Sequence, residues 1–318
     1  MRCPVAARMT DQATNRSRGC MRTTITVAAG LVFASQLAAQ DLEPRFLSPA
    51  PVGMNFGVLG YAYSAGNVML DQALPLEGTE ARVHGFSVAF ARTVNVLGFS
   101  GRLSAALPFA TSTWSGELSG ADTSTTRTGF GDPLVAVAVN FLGAPALRGS
   151  EYATYRPTTV VGASLKLRVP LGQYDRTKFF NLGTHRWMVS PRVGVAQYVG
   201  RLTVEGYASV WFFTTNGDFF NGSVLSQDPI VGFQLHASYT FRRGLWAAVS
   251  AGQTLGGSLT IDGVDKDNAQ TNNRFAVTLA IPVATRHSLK VAYSSGVSTR
   301  AGADFDTVVA AWQYRWGG

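Results

Sequence analysis

The sequence predicts an all-β fold, a transmembrane antiparallel β-barrel of about twelve strands with long extracellular loops and short periplasmic turns. Three observations predict it. Segment after segment alternates apolar and polar residues with a period of two. Each such segment runs about 11 to 14 residues, whereas ordinary strands average about five or six and a tilted bilayer-crossing strand needs about 9 to 11. Long polar links and tight turns also take alternate places between the segments, the stringing of an outer-membrane barrel.

The first element is a leader. Arg16, Arg18 and Arg22 precede an apolar stretch from Ile25 to Ala39 that ends in small residues, so 1–39 reads as a secretory signal peptide, with 1–20 an over-extended start. Both cysteines, Cys3 and Cys20, fall within it, so the mature chain has no thiol for a disulfide, a nucleophile or a cysteine metal site. Five arginines and one aspartate leave with the leader, and the formal charge of +8 falls by four to +4. The basic excess therefore gives no argument for a nucleic-acid partner.

The remainder, 40–318, reads as one barrel. The chain is 46% hydrophobic, which excludes disorder, yet 34 glycines and a mean hydropathy of +0.09 spread the apolar residues too thinly for a helical membrane bundle. In Ala163–Val169, Ala163, Leu165, Leu167 and Val169 share one face while Ser164, Lys166 and Arg168 share the other. The same reading gives strands at about 52–64, 81–94, 99–111, 130–142, 159–170, 187–199, 202–214, 229–241, 245–256, 273–283, 288–299 and 306–316. The link 143–158, with Pro145 and Pro157, is longer than its place on the short side requires, and a turn of helix is expected there.

Apolar residues on one face and Gly, Ser, Thr, Lys and Arg on the other suit lipid outside and water inside. Hydrocarbon offers no partner to an open strand edge, so the sheet must close. Trp312, Tyr314 and Trp316 on the last strand read as an interfacial girdle, of the kind the outer-membrane assembly machinery meets at the chain's end. The expected location is the Gram-negative outer membrane, with membrane lipid and small-molecule solutes as partners.

Strand parity points Arg102, Lys166, Arg168, Arg192, Arg274, Lys290 and Arg315 into the lumen, together with His236 and a single mid-strand acid, Glu205. A wall of one sign favours anions. The alternative is that these long side chains hold an inward-folded segment or solvate the interior. Asp132 in Gly-Asp-Pro-Leu and Asp228 in Gln-Asp-Pro-Ile begin descending strands, and both are candidate anchors for extracellular loops, with Arg186 or Arg300 as partners. A local turn at each strand start is the simpler reading. Phe179-Phe180 and Phe219-Phe220 could form an apolar mouth, and Asp262, Asp265 and Asp267 lack the spacing of a calcium loop.

Several stretches resemble the MetA-pathway of phenol degradation family of outer-membrane transporters: EPRFLSPAPVGMNF (43–56), GFGDPLVAVAVNFLGAPAL (129–147), GASLKLRVPLGQYD (162–175), NLGTHRW (181–187), FFTTNGDFF (212–220), YTFRRGLWA (239–247) and GVSTRAGADFD (296–306). The resemblance covers nearly everything after the leader. It implies an outer-membrane barrel for passage of small molecules, aromatic or hydrophobic compounds among them, and assigns no residue roles. No nucleophile elbow, zinc-protease or kinase signature accompanies the four histidines, so neither catalytic residues nor a cofactor or metal is expected. The competing functional classes are a structural or surface-interaction barrel with a closed lumen and, last, an outer-membrane hydrolase.

Overall fold

In the computed structural model, which describes residues 42–69, 76–118, 121–299 and 302–318, antiparallel strands close into a twelve-stranded barrel. The wall is built from β1 (Met54–Met69), β2 (Leu76–Val96), β3 (Phe99–Leu118), β4 (Ala121–Phe130) and β5 (Leu134–Pro145), then β6 (Thr159–Arg168), β7 (Met188–Val199) and β8 (Leu202–Phe213). Two short strands in the next outer loop, β9 (Asn216–Phe219) and β10 (Ser223–Gln227), precede the wall strands β11 (Ile230–Arg242) and β12 (Leu245–Gly256). Another such pair, β13 (Leu259–Ile261) and β14 (Val264–Asp265), precedes β15 (Gln270–Ala284), β16 (His287–Ser298) and β17 (Gly302–Gly317). Pairing of β1 with β17 closes the circle, and β4 and β5 are two halves of one wall strand.

The facing follows the alternation. Along β11, Leu235 is 65% exposed while its neighbours Gln234 and His236 are 4% and 2% exposed, so the apolar side chains look outward. Val88, Val193 and Val249 do the same on other strands. A twelve-residue strand such as β8 is about 40 Å long and, tilted by about 40°, crosses about 30 Å, the thickness of the hydrocarbon core. Tight turns join β2 to β3, β7 to β8, β11 to β12 and β15 to β16 on one rim, the periplasmic one. On that rim α1 (Gly149–Thr154) occupies the link where a turn of helix was expected.

Two departures from the expected strands have physical reasons. The polar stretches 65–80 and 112–129, expected as loops, largely extend the β1–β2 and β3–β4 ladders above the apolar belt. Threonine favours strands even where both faces are wet, and Thr111–Thr128 and Thr113–Thr126 pair hydroxyl to hydroxyl across β3 and β4 at 3.1 and 3.0 Å. The fourth wall strand is also broken. Strand β3 pairs with β5 through Ala106 and with β4 from Phe109, and Gly131-Asp132-Pro133 makes the step between them. Over the barrel, β14, β13, β10 and β9 form a separate small sheet within segments expected to be irregular. The leader, and Arg300, lie outside the described residues.

Candidate functional site: a plugged lumen under an aromatic mouth

The lumen is occupied by the chain's own segment 42–53, which precedes β1. From its junction with β1 at the periplasmic rim it folds back inside the barrel. Arg45 sits in the left-handed region, at φ 65°, within a turn closed by the Ser48 N–H donating to the Arg45 carbonyl at 3.1 Å. That turn sends Glu43 and Phe46 toward one part of the wall and Arg45 toward another.

Glu43 is buried, with one carboxylate oxygen 2.7 Å from Arg192 Nη1 and the other 3.7 Å from Lys166 Nζ. Arg192 also donates from Nε to Ser209 Oγ at 3.1 Å. The Phe46 ring lies between two guanidinium groups, 4.8 Å from that of Arg102 and 5.0 Å from that of Arg192, and edge-on to Tyr207. Arg102 donates to the Phe46 carbonyl at 3.1 Å, and Asn140 to the Leu47 carbonyl at 3.1 Å. Arg45 stacks over Trp246 at 4.6 Å, donates to Ser238 and Thr240, and gives its backbone N–H to Glu205. One short segment thus engages β3, β5, β6, β7, β8, β11 and β12.

Tyr207 completes the seat, donating to Glu205 Oε1 at 2.6 Å. It can lie flat there because β7 has Gly194 beside it, where a Cβ would come within 2.2 Å of the ring. At the rim, Tyr152 of α1 donates to the Pro49 carbonyl at 2.6 Å, and the Val52 N–H donates to the Leu147 carbonyl at 2.8 Å. The cavity beside Phe46 and Arg102 measures about 20 Å³, room for one water and no solute.

Each expected lumen residue has a definite place. Lys166, Arg192, Glu205 and Arg102 meet at the plug. His236 lies on the same wall, with Nδ1 2.7 Å from Ser250 Oγ and Nε2 buried without a hydrogen-bond partner among the described residues. Arg168 reaches Met188 Sδ higher up. Arg274 and Lys290 have inward parity on β15 and β16. Arg315 lies at the periplasmic end of β17, opposite the buried Phe56 of β1, and donates to the Thr285 carbonyl at 2.6 Å. The excess of wall cations is met by an acid that strand parity could not count, since Glu43 lies outside every strand.

The outer mouth is closed differently. Asp132, 3% exposed at the step in the fourth strand, accepts from the Gly172 N–H at 2.9 Å and from the Thr184 N–H and hydroxyl at 2.8 and 2.7 Å. These bonds clasp both ends of the loop 169–187. Gly172 is needed for the approach, since a Cβ there would meet the Asp132 backbone nitrogen at 2.7 Å. Asp228 does not play the matching part. Its side chain is exposed and the neighbouring Gln227 does the bridging, accepting from Arg186 Nη2 at 2.6 Å and donating to the Gly257 carbonyl at 3.1 Å. Strand parity is the same at the two sites, since Leu134 and Ile230 each begin a strand two residues after the aspartate; the difference is that the loop 169–187 brings Gly172 and Thr184 onto Asp132, while at the second start Gln227 makes the loop contacts. Arg186 packs its guanidinium on Phe213.

Above the clasp, Phe179 makes edge contacts with Phe180, Phe219 and Phe220 at centroid distances of 5.1, 5.8 and 5.6 Å. Phe180 stacks on Trp114 of β3 at 4.8 Å. At the loop's turn, the Thr177 hydroxyl and then its N–H hold the exposed Asp175 carboxyl below the usual carboxylate range.

A closed antiparallel barrel with a lipid-facing exterior and a filled lumen defines an outer-membrane β-barrel protein. Residues 71–310 match the family model described as MetA-pathway of phenol degradation, and the chain belongs to that family. Among solved structures it is similar to the COG4313 outer membrane channel from Pseudomonas putida F1, at 21% identity over 87% of this chain and 100% of that one, with a TM-score of 0.75. More distant likenesses are to the KdgM porin in complex with oligogalacturonate (8% identity, 81% of this chain and 98% of that one, TM-score 0.43) and to the β domain of the Bordetella autotransporter BrkA (10%, 82% and 99%, TM-score 0.49). No curated protein matches the chain.

Proposed function

We propose that the protein is an outer-membrane channel for the passive uptake of small solutes, aromatic or otherwise apolar ones in particular. The observation that carries this is the aromatic cluster at the outer mouth. Phe179, Phe180, Phe219 and Phe220, backed by Trp114, offer an apolar ring assembly above a lumen sealed by a removable chain segment. Aromatic faces gather apolar solutes from water or the outer leaflet. The Asp132 clasp positions this cluster and is the gate's outer anchor. Permeation then requires segment 42–53 to leave or shift, because Glu43, Arg45 and Phe46 reach across the lumen to different parts of the wall.

The test is uptake by reconstituted protein of matched phenolic, fatty and sugar solutes. Preference for the first two, lost in Phe179→Ala, is the expected result. Equal exclusion of all three would favour instead a closed structural barrel, the reading to which the tightly held plug lends its weight.

A further inference from the structure

The plug holds two chemical groups against the wall in a fixed relation. The Glu43 carboxylate sits on Arg192 and Lys166, and the Phe46 phenyl sits three residues along between Arg102 and Arg192. A carboxylate joined through a few atoms to an aromatic ring is also the outline of a small molecule. We propose that this seat is the binding site for a solute bearing a carboxylate on an aromatic or apolar body, and that such a solute enters by displacing the plug that imitates it. This inference rests on the channel reading and narrows its substrate class.

The electrostatics favour it. Arg192 is nearly fully buried and takes its charge partner from the plug. Withdrawing one member of a buried pair leaves an uncompensated charge and is strongly unfavourable. The plug therefore stays in place when nothing replaces Glu43. A neutral solute supplies no replacement and a cation worsens the deficit, whereas an incoming carboxylate restores the pair as Glu43 departs. A ligand shifts such an equilibrium only by its differential affinity for the open state, and here the whole differential comes from an anion site that the plug itself covers when closed. The apolar ring of the solute then takes the face-on cation contacts vacated by Phe46.

The site also explains why the plug carries its own cation. Arg45 satisfies Glu205, Ser238 and Thr240 away from the carboxylate seat, so the segment docks by two contacts that release together, and a solute that replaces one of them weakens the hold on the other.

The test uses the full processed protein in detergent, with tryptic cleavage after Arg45, read by mass spectrometry, as the measure of plug release. Phenylbutyrate is compared with phenylbutanol and phenylbutylamine, which share its body. Phenylbutyrate is expected to accelerate cleavage about tenfold and saturably, with the alcohol and amine inert. Lys166→Gln and Arg192→Gln should lose the response. Glu43→Gln should raise the basal rate and lower the phenylbutyrate concentration needed; it alters only the plug, so it keeps the test decisive if Arg192→Gln fails to fold. Equal acceleration by all three compounds, or a response that survives both wall substitutions, overturns the proposal. Uptake of phenylbutanol without any carboxylate-driven release would sink this inference and spare the channel reading. Release by phenylbutyrate with no uptake of any solute would do the reverse.

Discussion

The lower lumen and the outer mouth are both closed, but by opposite chemistry. Below, segment 42–53 is held by buried ions, with Glu43, Arg45 and Phe46 matched to Arg192, Lys166, Arg102 and Glu205. Above, loop 169–187 is clasped by one carboxylate and covered by phenylalanines. The lower closure runs straight into β1 and is held by side chains from several wall strands. The upper one is tethered at both ends and can only flex. A cooperative ionic seal suits all-or-none release, while aromatic contacts on a tethered loop suit graded admission.

The sharpest way to break the comparison is Arg192→Ala. Removing the hydrogen-bonded partner of Glu43 is expected to weaken the plugged state by about 3 kcal/mol, seen as a rise of roughly a hundredfold in tryptic cleavage after Arg45. The mouth should be untouched, with cleavage after Arg176 unchanged. Asp132→Ala is the reciprocal experiment. It removes the acceptor for three bonds and is expected to loosen the loop by about 2 kcal/mol, a roughly thirtyfold faster cleavage after Arg176 or Lys178 with the plug still protected.

Smaller effects sharpen the contrast. Phe179→Ala should weaken binding of an apolar aromatic probe at the mouth by about 1 kcal/mol, or about fivefold, without exposing Arg45. Asp228→Ala, at an exposed carboxylate beside the bridging Gln227, should change loop proteolysis and stability by less than about 0.5 kcal/mol. A large effect there would mean that the two Asp-Pro strand starts are equivalent after all.

The barrel was legible in the sequence because lipid and water impose a period of two on every strand, and one face of β11 or β6 states its own direction. The lumen facing of Lys166, Arg192, Glu205 and His236 came with it. The plug was not legible. EPRFLSPAP has no periodicity to read, since its side chains answer to several strands, and its partners lie between 42 and 195 residues away. A signal was nonetheless present: seven inward cations against one acid left a charge to be found, and Glu43 and Phe46 sat just ahead of the first strand. The outer ladders of β3 and β4 were missed for another reason. Their threonines are polar on both faces, so no alternation betrays them.

Helix α1 hangs beneath the barrel, and its Tyr152 grips the Pro49 carbonyl where the plug turns toward β1. Displacing this short helix would therefore disturb the inner seal from the periplasmic side, through the bond between Tyr152 and Pro49 and that between Val52 and Leu147 beside it.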